Sequence, residues 1–217
     1  MVYTHVVRIR HNVFFFRHCC DKILGRGCIP IPMNKRANIT LDEDLQRRLN
    51  DPQARNSAFA ELYDLLSRPV YAYALRMTSS SSDAADVTQE TFIRLHAHLV
   101  KGNTLVDPLP FCLMIARQRV INMERDRKAV VAIDEHHSIS DPYASIERED
   151  IRQHIERVVA QLPLLLRDAF VLRYYDGLSY DAIAALISEP QGTVRMRVHR
   201  AKALLRQQLN HLRSEVR

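Results

Sequence analysis

Glycine is scarce in this chain, 5 residues of 217, and aromatic residues make up only 7%. Leu, Ala, Arg and Asp recur at helical rather than alternating spacing, so strands have little to be built from and the sequence reads as all-α. Cysteine is also thin. Cys19, Cys20, Cys28 and Cys112 contain no CxxC pair and three of them crowd into the first thirty residues, which indicates neither a zinc site nor a disulfide framework. No apolar run approaches a membrane span, and the cluster Val13 to Phe16 ends at Arg17 with no small-residue cleavage site behind it. A cytoplasmic protein without membrane insertion is expected. The ten histidines are scattered, and the His136-His137 pair has no neighbouring ligands at metal spacing. With no phosphate-cradling glycine loop and no nucleophile motif either, neither an enzyme nor a cofactor or metal is expected.

What is present is charge, unevenly placed. The formal net charge of +6 and a pI near 9.3 suggest an anionic partner, although an excess of this size is common among soluble proteins. From Pro190 onward the chain carries Arg195, Arg197, Arg200, Lys202, Arg206, Arg213 and Arg217 against the single acid Glu215. From Asp83 to Leu99 the balance reverses, with Asp83, Asp86 and Glu90 against Arg94. One end suits polyanions and another segment has an acidic face.

Residues 1–40 follow no steady period and read as an irregular extension, with Met33 as the expected translation start and a regulatory extension as the alternative. Helical periodicity begins near Leu41 and runs through Phe59, Leu62, Tyr63, Leu66, Val70, Tyr73 and Met77 to a turn at Ser79 to Ser82. A second helix is predicted from Asp83 to about Leu99. The stretch Lys101 to Pro110, with Gly102, Asn103, Pro108 and Pro110, reads as a loop, followed by a third helix from about Phe111 to Arg127. The period lapses between Ala129 and Pro142, which divides the chain into a domain at 41–128, a flexible linker at 129–143 and a domain at 144–217. In the second domain, helices are predicted at Ala144 to Gln161, Pro163 to Tyr175, Ser179 to Ile187 and Pro190 to about Leu212.

The last two helices are the most informative. Ser179 can cap a helix whose Ile183, Leu186 and Ile187 face inward, and Asp181 favours its positive end. Pro190 is well placed in the first turn of the next helix. Along that helix Val194, Val198, Ala201, Leu205, Leu209 and Leu212 form one stripe, while Arg195, Met196, His199 and Arg200 fall broadly opposite. A short helix, tight turn and longer basic helix make the helix-turn-helix pattern, whose exposed face is what a major groove receives. Solvated basic helices are common, so the pattern alone leaves DNA binding open.

Leu162-Pro163, the run Arg167 to Ala184 and the run Gly192 to Lys202 together resemble region 4 of extracytoplasmic-function sigma factors, members of the sigma-70 family. The resemblance implies a domain that reads the minus-35 promoter element and touches the flap of the polymerase beta subunit. It assigns DNA contact to Thr193, Arg195, Met196, Arg197, His199 and Arg200. Ser188 and Glu189 depart from the family's usual glycine and aliphatic residue in the turn, and Met196 replaces a common serine.

In the first domain, Asp86, Gln89 and Glu90 cluster on one side of the second helix, opposite Phe92, Leu95 and Leu99. Carboxylates facing phosphates gain nothing, so the patch suits a basic protein surface, with an ordinary solvated face as the plainer reading. The run Asp83 to Leu95 resembles region 2.2 of the same family. That implies docking on the clamp helices of the polymerase beta-prime subunit through Asp86, Gln89 and Glu90. Phe59, Leu62, Tyr63 and the run Val70 to Arg76 resemble region 2.1. Phe111 to Arg127 resembles regions 2.3 and 2.4, which recognise and melt the minus-10 element. Holding a strand open needs cationic groups and a pocket for an unstacked base. Arg117, Arg119, Arg125, Arg127 and Lys128 can supply the charge, Asn103 and Thr104 lie in the position of the base-capturing loop, and Gln118 and Asn122 stand where Asn and Asp are usual.

The implied function is therefore a sigma factor that binds core RNA polymerase and promoter DNA, with an anti-sigma factor as an expected further partner. A stand-alone helix-turn-helix regulator is the alternative, and a helical adaptor a third class. The regulator does not account for an acidic helix followed by a basic melting segment, and the adaptor would be favoured by a failed polymerase pull-down with no promoter dependence.

Overall fold

The computed structural model describes residues 41–131 and 155–215. The expected extension at 1–40 and nearly all of the linker lie outside them, as does the start of the helix expected from Ala144, of which 155–160 is described. The described residues are helical without strands. The helices are α1 (Glu43–Asn50), α2 (Arg55–Thr78), α3 (Ser81–Val100), α4 (Pro108–Val131), α5 (Leu164–Tyr174), α6 (Tyr180–Ile187) and α7 (Gln191–Glu215). α2, α3 and α4 pack mutually, with α1 against α2, and form a first unit. α7 packs on α5 and α6 and forms a second.

Two proline positions correct the sequence reading. The helical stretch predicted without a break from Leu41 is two helices, because Pro52 disfavours helical backbone at Asp51, which is extended at φ −82°, ψ 118°. α1 is capped by Asp42, whose Oδ1 accepts the Leu45 N–H at 2.6 Å. Arg48 ties α1 to α2 by reaching both Asp44 and Glu61. At the other position, the predicted loop Lys101 to Pro110 ends at Asp107. Pro108 opens α4 instead of preventing it, since a first-turn residue needs no N–H. α4 then continues to Val131, past the boundary expected at 128.

The remaining helix ends follow local chemistry. Ser80 Oγ accepts the Asp83 N–H at 3.2 Å, so α3 begins two residues before the predicted Asp83. Asp83 in turn holds Arg127 at 2.7 Å, joining the start of α3 to α4. Between α5 and α6 the chain reverses at Gly177, φ +75°, with the Leu178 N–H donated back to the Leu172 carbonyl. Tyr73, Leu62, Leu66, Leu95 and Leu113 fill the first unit, and Leu172, Ile183 and Val194 the second. Cys112 is enclosed in α4, and burial pushes its thiol pKa up to about 12.

The two units touch. α2 packs on α5, and α4 on α6, so their buried residues join into one continuous cluster.

Candidate promoter and polymerase interfaces

α6, its turn and α7 have the expected helix-turn-helix form. Ser179 Oγ accepts the Ala182 N–H at 3.0 Å, Asp181 lies in the first turn, and Ile183, Leu186 and Ile187 are buried. Pro190 stands just ahead of α7, not inside its first turn. Its carbonyl accepts the N–H groups of Thr193 and Val194, which is the role of a residue at the helix entrance. Asp181 accepts from the Gln191 side chain, fastening the start of α7 to the start of α6.

The turn explains the two departures seen there. Ser188 is left-handed, φ 55°, ψ 45°, which is where a glycine would be unstrained. Glu189 holds Arg197 at 2.7 Å in an ion pair whose arginine side chain is only 13% exposed. An aliphatic residue at 189 would leave that guanidinium without its carboxylate. Replacing Ser188 by glycine removes the left-handed strain at the expense of some chain entropy. Ser188→Gly is expected to stabilise the fold by about 0.5–1 kcal/mol, readable as a higher urea midpoint.

Along α7, Val194, Val198, Ala201 and Leu205 are buried, and Leu209 packs against them. The side chain of Leu212 is outside the described set. Arg195, Met196, His199 and Arg200 are exposed on the free side. Arg195 leans over the Tyr180 ring at 5.6 Å, with Arg173 against the same ring at 4.8 Å. Thr193 is half-buried. Arg197 is not on the free face but is spent on Glu189, so it props the turn.

On α3, Asp86 and Gln89 are exposed, and Glu90 is half-buried and bonded to Arg94 at 2.6 Å. Ile93, 55% exposed, continues this face by one turn. Beside it lies a groove lined by Phe59, Tyr63, Tyr71, Phe92, Ile93, His96 and Gln89. The sequence reading found the acids and missed the apolar half, because the groove is assembled from α2 and α3 together. The one sequence signal for it is Ile93 recurring at i+3 and i+4 from Glu90 and Gln89 on an otherwise polar face.

The residues expected to handle an opened strand are divided between two environments. Asn103 and Thr104 are exposed before α4, and the Asn103 amide donates to the His98 carbonyl at 3.2 Å. Gln118 is exposed and its amide donates to Asn122 Oδ1 at 3.1 Å, with Arg125 one turn further on the same side. Arg119 is half-buried. Arg127 is held by Asp83, and Arg117 is taken up altogether: its Nε donates to Asp168 Oδ2 of α5 at 2.6 Å, with the side chain 14% exposed. The Lys128 side chain lies outside the described set. Among the described residues no cluster of His, Cys, Asp and Glu could hold a metal, and no helix is long and apolar enough to cross a membrane.

Two stretches of the chain match known family models. Residues 62–130 match Sigma-70 region 2 and residues 152–205 match Sigma-70 region 4. The chain is 27% identical over 169 residues to the ECF RNA polymerase sigma factor SigW of Bacillus subtilis, covering 71% of this chain and 90% of that one. It is 32% identical over 136 residues to the ECF RNA polymerase sigma-E factor of Escherichia coli K12, covering 56% of this chain and 71% of that one. Its fold is similar to the sigma factor RpoE bound to the anti-sigma factor NepR from Bartonella quintana, at TM-score 0.57 and 23% identity over 70% of this chain and 96% of that one. It is similar too to CnrH in complex with the cytosolic domain of CnrY, at TM-score 0.57 and 20% identity over 78% and 97%. Two sigma regions in this order, carried on the helices just described, place the chain in the extracytoplasmic-function group of the sigma-70 family, whose members are transcription initiation factors that give RNA polymerase its promoter specificity.

Proposed function

We propose that this sigma factor divides its work among three faces. Asp86, Gln89 and Glu90 of α3, continued by Ile93 and the aromatic groove, dock on the clamp helices of the beta-prime subunit. Asn103, Thr104, Gln118, Arg119, Asn122, Arg125 and Arg117 engage the minus-10 element as it opens. Arg195, Met196, His199 and Arg200 enter the major groove at the minus-35 element, while the second unit also meets the beta flap. The observation that carries the reading is α7: a helix buried along Val194, Val198, Ala201 and Leu205 and bare along Arg195, Met196, His199 and Arg200. The chain acts in the cytoplasm and performs no catalysis of its own. By analogy with RpoE–NepR and CnrH–CnrY, an anti-sigma factor holds it at rest.

Purified chain mixed with core polymerase and genomic fragments provides the test. Run-off transcripts are expected only when both proteins are present, with weak duplex binding by the chain alone. No affinity for core polymerase would overturn the reading, and tight specific duplex binding without polymerase would favour a stand-alone regulator.

A further inference from the structure

We propose that the free chain closes on itself, with Asp168 as the clasp, so that Arg117 is withheld from nucleic acid until the two units part. The proposal rests on the assignment of Arg117 to the opened strand. Asp168 belongs to α5 yet is only 2% exposed, and both hydrogen-bond partners described for its side chain come from the other unit. Its Oδ1 accepts the Tyr73 hydroxyl at 2.9 Å, and its Oδ2 accepts Arg117 Nε at 2.6 Å. Arg76 of α2 adds a second crossing, its guanidinium 4.2 Å from the centre of the Tyr175 ring.

A phosphate and the Asp168 carboxylate compete for the same guanidinium, so closure and strand binding by Arg117 exclude each other. By linkage each weakens the other by the same factor. The chemistry of the seam also suits reversal. A buried ion pair recovers in Coulomb attraction roughly what desolvation costs it, and when the units separate the carboxylate and the guanidinium return to water together. Set within a seam whose apolar residues are continuous between the units, the pair fixes one closed arrangement while adding little to its net stability.

The full chain, with Cys19→Ser, Cys20→Ser and Cys28→Ser and spin labels at Ala97→Cys and Ala203→Cys, reports closure directly. Both label positions are exposed, one on each unit. Electron–electron resonance should give one narrow distance distribution, which Asp168→Asn broadens toward longer distances. Arg117→Met breaks the same pair from the other side and should do likewise, so a folding failure of either variant leaves a second reading. A broad distribution in the parent, or variants of unchanged circular dichroism that keep the narrow one, would overturn closure.

Withholding has its own readout, the affinity of the free chain for a fluorescent pool of randomised 12-nucleotide single strands. Asp168→Asn should bind on the order of tenfold tighter, the gain expected when about a tenth of the parent is open at any moment. Adding Arg117→Ala to that variant should cancel the gain. Equal affinities of parent and Asp168→Asn would overturn the withholding. Failure of the polymerase assay with these results intact would instead overturn the promoter assignment and leave the closure standing.

Discussion

Asp86→Lys combined with Glu90→Lys will cost this sigma factor on the order of a hundredfold or more in affinity for core RNA polymerase, with the fold intact. Asp86 is exposed and makes no contact that helix α3 needs. The Glu90 pair with Arg94 is a surface i,i+4 bridge whose loss costs only about 0.3–0.5 kcal/mol. Stability should therefore barely change. At the interface, two carboxylates meeting a basic surface become two ammonium groups meeting it, and like-charge juxtaposition costs several kcal/mol. Ile93→Asp examines the apolar half of the same face and should weaken binding by about 2 kcal/mol, the scale of a central contact. Titration of labelled core polymerase, with circular dichroism melts of each variant, measures both. Unchanged polymerase affinity in the double reversal would place the docking face elsewhere.

Arg195→Ala and Arg200→Ala are each expected to weaken promoter-dependent transcription by about 1–3 kcal/mol, the worth of a lost base contact. Both side chains are exposed on α7 and lie outside its packed stripe, and the surface contact of Arg195 with the Tyr180 ring is worth at most about 1 kcal/mol, so the losses should change thermal stability little. Arg197→Ala provides the contrast. Its guanidinium is paired with Glu189 and largely covered, so its removal should lower the melting temperature first and act on promoter use only through the turn. Run-off transcription on the cognate promoter, alongside melting curves, separates the two patterns. Wild-type output from both Arg195→Ala and Arg200→Ala would remove α7 as the reading helix.

Much of this was legible because helix signals are local. The Ser179 cap, the buried stripe of α7 and the opposite faces of α3 follow from spacing within one helix, and the structure has them where spacing puts them. Proline was harder to read, since the residue that interrupts a helix at Pro52 opens one at Pro108, and only the surrounding packing selects between the roles. Period shows which face of a helix is free of its own core, not what else arrives to cover it. Arg117 and Asp168 are 51 residues apart, and nothing near either one announces the other. The aromatic groove was hidden for the same reason, because Tyr63 was legible only as part of an apolar period along α2 and Ile93 only as one position of the run Asp83 to Leu95. Glu189 and Arg197, eight residues apart across a turn, fell between the two cases: the departure from the family pattern was visible, but its partner was not.

The thiol enclosed in α4 bears on how the protein can be regulated. Burial raises the Cys112 thiol well above its ordinary range and keeps it protonated at neutral pH, whereas the thiolate is the form that peroxide or an electrophile attacks. Among the described residues, therefore, no cysteine offers an oxidant a ready thiolate. A thiol-based response to oxidative stress would fall to Cys19, Cys20 or Cys28, or to another protein.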